Sequence, residues 1–267
     1  MSEFLSGLFA IPFLTGLALA VVLPVLGCFL RLRHEWIAAL AYGNVAAAGS
    51  LAALALGMPL VGGGLAASAT AVFVKRMMGT GRVRATAYAF FLVGGWAVAV
   101  LLAANLPMAE RIGHALFDGQ LYFAELGHLV AALSVAVVVL PLLLALSRRL
   151  LLCEIFPQHF RLQGLPDWPV HVGFDLLTVV VLAAATLSLG VMAGFSLAFL
   201  SPWVAFARAR SWRQGLFVAV ALGVTGYTAA FALALAFDQP FGPMLCLVLL
   251  GGALAAAGIS GPKRTIL

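Results

Sequence analysis

The chain has 267 residues, of which 64% are hydrophobic and only 9% charged. A mean hydropathy of +1.13 excludes a soluble domain with a single anchor and implies a polytopic membrane protein. The formal charge of +6 does not point to nucleic acid, because the basic residues are scattered over short loops and form no patch.

Apolar segments fall at about 7–30, 36–56, 59–74, 85–104, 127–147, 173–190, 191–206, 215–236 and 243–259. Each is a helix candidate: only helices or closed barrels satisfy backbone groups in lipid, and these runs do not alternate as barrel strands do. The first has no basic region before it, is too long for a signal core and runs directly into Arg31 and Arg33, so it reads as a retained span. Several segments are shorter than the ~20 residues of a full span. The pairs 36–74 and 173–206 therefore leave room for a broken or re-entrant helix. The expectation is one all-α domain over 1–267 with eight or nine transmembrane helices. Clusters such as Ala46 to Gly49, Gly62 to Gly64 and Gly190 with Gly194 permit close helix packing.

Lysine and arginine orient the bundle. With the loop after the first span in the cytoplasm, alternation through nine segments places fourteen of the fifteen basic residues inside, and only Arg111 outside. The opposite face receives Glu110, Asp118, Glu125 and Asp238. Trp36, Trp203 and Trp212 fall near span ends, as interfacial anchors do.

A polar island at about 148–172 interrupts the apolar pattern. It holds Arg148, Arg149, Glu154, His159, Arg161 and Asp167, with Pro157, Pro166 and Pro169 as breakers. Charges of this density belong in water. Pro157 opens and Gly164 closes a stretch of two helical turns. It reads as a short amphipathic cytoplasmic helix, a handle by which another protein could move the bundle.

Sequence motifs for nucleotide binding or hydrolysis are missing: no Walker lysine loop, no Gly-x-Ser-x-Gly, no His-Glu-x-x-His and no dinucleotide fingerprint. The chain is therefore not expected to be an enzyme or to hold a permanent cofactor. In the outer loop Glu110, His114 and Asp118 are spaced four apart, and Glu125 and His128 lie within one turn. These five are candidate zinc or manganese ligands, against the plainer reading of a solvated loop helix with an interfacial histidine. His114 and His128 also raise a different class, a membrane redox subunit, but Asp118, Gly119 and Gln120 place both near the surface, where haem does not sit. Asp175, at the start of a span, reads as a snorkelling or capping carboxylate, with a polar pathway as the other reading. His34 and Glu35 beside Arg33 read as a solvated corner, and His159 and His171 as solvated or partner-facing. Cys28, Cys153 and Cys246 lack metal spacing and read as small core residues.

Three stretches resemble the permease subunits of the metal-type ABC importers, which move zinc, manganese or iron. The first is Leu26-Gly27-Cys28-Phe29-Leu30-Arg31, followed by Leu40-Ala41 and Ala46 to Gly49. The second is Pro157-Gln158-His159-Phe160-Arg161-Leu162-Gln163-Gly164, similar to that family's coupling helix. The third is Gly194 through Pro202 to Ala207, followed by Asp238-Gln239-Pro240-Phe241-Gly242-Pro243. The resemblance implies a permease bundle in the bacterial inner membrane, paired with a second copy of itself. It also implies a cytoplasmic ATP-binding subunit, docked on Pro157, Gln158, His159, Phe160, Arg161 and Gly164, and an extracytoplasmic substrate-binding protein. The implied cargo is a divalent metal, zinc or manganese, moved by alternating access; another small solute or a metal chelate is the alternative. The family's second helix carries Gly-Asp-x-x-x-His along the metal path. Here Ile37, Ala38 and Tyr42 stand at those positions, so the transport-path residues are Ala38, Tyr42 and Asn44, without a carboxylate–imidazole pair. Metal selection is then expected to rest on the binding protein and on Glu110, His114, Asp118, Glu125 and His128.

Overall fold

A computed structural model describes residues 7–78, 82–119, 121–156, 166 and 168–259. Ten α-helices run through them: α1 (Gly7–Leu32), α2 (Trp36–Ala55), α3 (Leu60–Met77), α4 (Arg82–Asn105), α5 (Pro107–Asp118), α6 (Leu126–Ile155), α7 (Trp168–Ser188), α8 (Val191–Arg208), α9 (Trp212–Ala236) and α10 (Phe241–Ile259). Each of the nine apolar segments falls on one helix. The remaining helix, α5, lies in the connection between α4 and α6. Seven helices are long and apolar enough to cross a membrane, and α10 supplies a shorter apolar stretch, Phe241–Ala256.

The expected helix interruptions take a different form. Segments 36–74 and 173–206 each resolve into two separate helices, and α3 and α8 have 18 residues each. At 1.5 Å per residue these reach about 27 Å, close to the thickness of the hydrocarbon layer. The second pair turns at Leu189 and Gly190, and this turn is locked from outside. Gly119 (φ +81°) and Gly190 (φ +88°) bring two backbones together. A Cβ on Gly119 would lie 2.1 Å from the Leu189 carbonyl oxygen, and one on Gly190 2.7 Å from the Gly119 nitrogen. Only glycine fits such an approach at positive φ.

The polar island is also shorter than expected. Helix α6 continues past the end of the apolar run at Ser147 to Ile155, and α7 begins at Trp168. A helix leaving lipid loses nothing by continuing, since its backbone bonds are already made and Arg148 and Arg149 gain water. The coupling residues Pro157 to Gly164 lie outside the described residues.

Helices α1 and α2 occupy the centre. Helix α1 packs on α6, α8 and α9, while α2 is enclosed by α3, α4, α7 and α8. Close approach there depends on small residues. A Cβ on Gly49 of α2 would meet the Gly63 oxygen of α3 at 2.5 Å, and one on Gly95 of α4 would meet the Asn44 backbone of α2 at 2.9 Å. Against lipid the apolar effect gives no drive for helix association, so such packing contacts replace it. Helix α5 is amphipathic. It buries Ala109 and Leu116 against Ala47 and Leu51 of α2 and Ala99 of α4, while Glu110 and His114 stay exposed.

Candidate functional site

At the end of the bundle where the basic loops gather, four helices and one inter-helix turn contribute to one buried ionic cluster. The turn between α1 and α2 supplies Arg33 and Glu35. The last turn of α3 supplies Lys75, the second turn of α4 Tyr88, the end of α6 Glu154 and the second turn of α7 Asp175. The side chains of Arg33, Lys75 and Asp175 are 1%, 6% and 5% exposed. Glu35 is 10% and Glu154 29% exposed.

The guanidinium of Arg33 is divided among three carboxylates. It donates to Asp175 Oδ1 at 3.0 Å and to Glu35 Oε1 at 3.2 Å, and Nε lies 3.8 Å from Glu154 Oε1. It also stacks over the Phe174 ring, 4.8 Å from the centroid. Burial alone would lower this guanidinium; the charges of Asp175 and then Glu35 more than offset it and hold it above its ordinary value. Lys75 Nζ donates to the other oxygen of Asp175 and, at 2.8 Å, to the Tyr88 hydroxyl. Tyr88 passes its own proton on to Glu35 Oε2 at 3.1 Å. Asp175 is thus the anion shared by both cations, and Tyr88 bridges Lys75 to Glu35.

Tyr42 lies directly against this cluster. It is completely buried on α2, with its ring edge-on to Tyr88 at 5.6 Å and stacked near Phe91 at 6.4 Å. Its hydroxyl lies beside that of Tyr88 and in the field of Asp175 and Glu35. Tyr88 donates its one proton to Glu35, and no partner among the described residues meets the Tyr42 hydroxyl in full bonding geometry. Ala38, one turn earlier, is buried, and the buried Asn44 amide turns back to donate to Leu40 O at 2.9 Å. Of the expected path residues, Tyr42 therefore reaches the cluster, while Asn44 is bonded within its own helix.

Two expectations for this region are corrected. Arg33 and Glu35 do not form a solvated corner; only His34, at φ +54°, is exposed there. Asp175 neither snorkels nor caps a helix but is buried between two cations. The candidate metal ligands are placed apart. Glu110 and His114 sit on exposed α5, while Glu125 and His128 close the start of α6, where His128 Nδ1 accepts from the Glu125 backbone N–H at 3.3 Å. The Asp118 side chain is outside the described residues. Among those residues no three His, Cys, Asp or Glu side chains gather to hold a metal ion. Cys28 and Cys153 are buried and Cys246 partly so.

The fold and sequence have known counterparts. A chain of PsaBC from Streptococcus pneumoniae, solved in complex with Fab, superposes with a TM-score of 0.85 at 18% identity, covering 99% of this chain and 98% of that one. The Yersinia pestis "Chelated iron transport system membrane protein YfeD" is 26% identical over 247 residues, which are 90% of this chain and 83% of the relative. The Haemophilus influenzae "Probable iron transport system membrane protein" is 22% identical over 255 residues, 95% of this chain and 93% of the relative. The sequence pattern of the ABC 3 transport family extends over residues 8–258, nearly the whole bundle and all members of the buried cluster, and the chain belongs to that family.

Proposed function

We propose that this chain is the permease subunit of an ATP-driven importer for a divalent metal ion, free or chelated, in a bacterial inner membrane. Two copies form the pathway about a two-fold axis. A separate cytoplasmic subunit hydrolyses ATP, and an extracytoplasmic binding protein delivers the cargo. The observation that carries this reading is family membership over 8–258, with relatives named for iron transport supporting the metal.

The geometry suggests how force reaches the bundle. In the sequence the handle at 157–164 joins α6 to α7, and the nearest charges on those helices, Glu154 and Asp175, both belong to the buried cluster. Closure of the ATPases would push the handle and, through its two roots, shift carboxylates that now pin α3 and the α1–α2 turn. That is a two-state element of the kind alternating access requires.

Donor chemistry supports one choice among the metals. The cluster offers only carboxylate and phenol oxygen, which favours manganese or iron(II) over zinc, the better partner of imidazole and thiolate. The test is reconstitution with its ATPase and binding protein in vesicles, followed by uptake of radioactive manganese, iron and zinc. ATP-dependent uptake of manganese or iron is the expected result. ATP-dependent uptake of zinc alone would overturn the oxygen-site argument. Absence of metal uptake beside uptake of an organic solute would overturn the metal reading.

A further inference from the structure

Lys75 is placed as a bound cation would be. Its ammonium sits between a carboxylate oxygen of Asp175 and the phenol oxygen of Tyr88, with Glu35 bonded to that same phenol. The fully buried hydroxyl of Tyr42 lies beside that of Tyr88 and meets no partner among the described residues in full bonding geometry. Such a set of two carboxylates and two phenols is an oxygen donor set for a hard divalent cation.

We propose that Asp175, Glu35, Tyr88 and Tyr42 form a cation station that Lys75 fills in the present conformation and yields to a divalent metal ion in another. This rests on the importer reading above. The lysine is a tethered counter-ion. When the station is vacant of cargo, Lys75 neutralises Asp175 and no carboxylate is stranded in the interior. When cargo arrives, the divalent ion takes the oxygens and the flexible lysine stem swings away. Its return displaces the cargo, so the site binds strongly enough to accept an ion yet weakly enough to release it. Arg33, fixed by three carboxylates and by Phe174, holds the station's geometry through either state.

Two measurements on the purified permease in detergent test this without transport. The first is manganese binding by calorimetry. Lys75→Met should bind Mn2+ about tenfold or more tightly than wild type, since a like charge has been removed from the site. Adding Asp175→Asn to Lys75→Met should abolish the gain. No gain in the single variant, or a gain that survives in the double variant, overturns the station. The second uses unaltered protein and covers failure of either variant to fold. The sequence contains one other lysine, Lys263, whose acetylation normalises that of Lys75 in a mass-spectrometric readout. Mn2+ should raise Lys75 acetylation several-fold over sodium at equal ionic strength. Unchanged acetylation at saturating Mn2+ would leave Lys75 a structural counter-ion only. Binding and displacement without metal uptake by the reconstituted complex would overturn the importer reading and leave the station standing.

Discussion

Replacing Asp175 with asparagine removes the anion that Arg33 and Lys75 share. The three side chains are 5%, 1% and 6% exposed, so solvent does little to screen the change. Breaking a buried pair costs about 3–5 kcal/mol, against about 0–1 kcal/mol for an exposed one. Asparagine keeps one oxygen that can accept from Arg33, which places the expected loss near the lower end, about 3 kcal/mol. Charge arithmetic then gives a second, sharper expectation. In Asp175→Asn two buried cations face Glu35 and the partly exposed Glu154. Adding Lys75→Met removes the surplus cation, and Arg33 keeps Glu35 and Glu154. The double variant should therefore recover at least half of the loss, with a coupling energy of about 1–3 kcal/mol. Equilibrium unfolding of the purified protein in mixed micelles with rising dodecyl sulfate reads both quantities. A loss under about 1 kcal/mol for Asp175→Asn, or a double variant as unstable as the sum of the singles, would refute the buried shared anion.

At the other end of the bundle, Gly190→Ala forces a Cβ to 2.7 Å from the Gly119 nitrogen at φ +88°. It should lower stability by at least about 1–3 kcal/mol in the same assay, and an unchanged transition would remove the backbone contact. Orientation predicts that Arg161→Cys is protected in intact cells from an impermeant thiol reagent while Asp118→Cys is labelled, both in a Cys28→Ala, Cys153→Ala, Cys246→Ala background. The reverse pattern would invert the topology and remove the handle from the ATPase side. Phe160→Asp in the handle should leave insertion intact, preserve ATP hydrolysis by the associated subunit and abolish uptake; normal uptake would place Phe160 away from that contact.

Local and one-dimensional information in this chain went far. Runs of about 16–24 apolar residues must be helical in lipid, because no water is there to satisfy their backbones. Nine segments and the break after each were legible for that reason, as was the gathering of basic residues at one end. The four-residue spacing of Glu110, His114 and Asp118 marked the amphipathic α5, which contains all three. Helix ends were less legible. Charged residues such as Arg148 and Glu154 signal departure from lipid, not the end of a helix, so α6 ran eight residues beyond its apolar run.

What tertiary structure alone decided was the pairing of charges. Arg33 meets Asp175 across 142 positions and Lys75 meets it across 100. Read singly, each charge sits at the edge of an apolar run, where a snorkelling or solvated side chain is the ordinary outcome. One clue was present: alternation placed Arg33, Glu35, Lys75 and Asp175 at the same end, with Tyr42 expected on the transport path. Sequence spacing carries no information on which helices become neighbours, because side-chain contact across helices depends on packing order. Once small residues let α3, α4 and α7 close around α2, these charges were shut away from water and had to satisfy one another, and that enclosure turned ordinary edge residues into a single buried site.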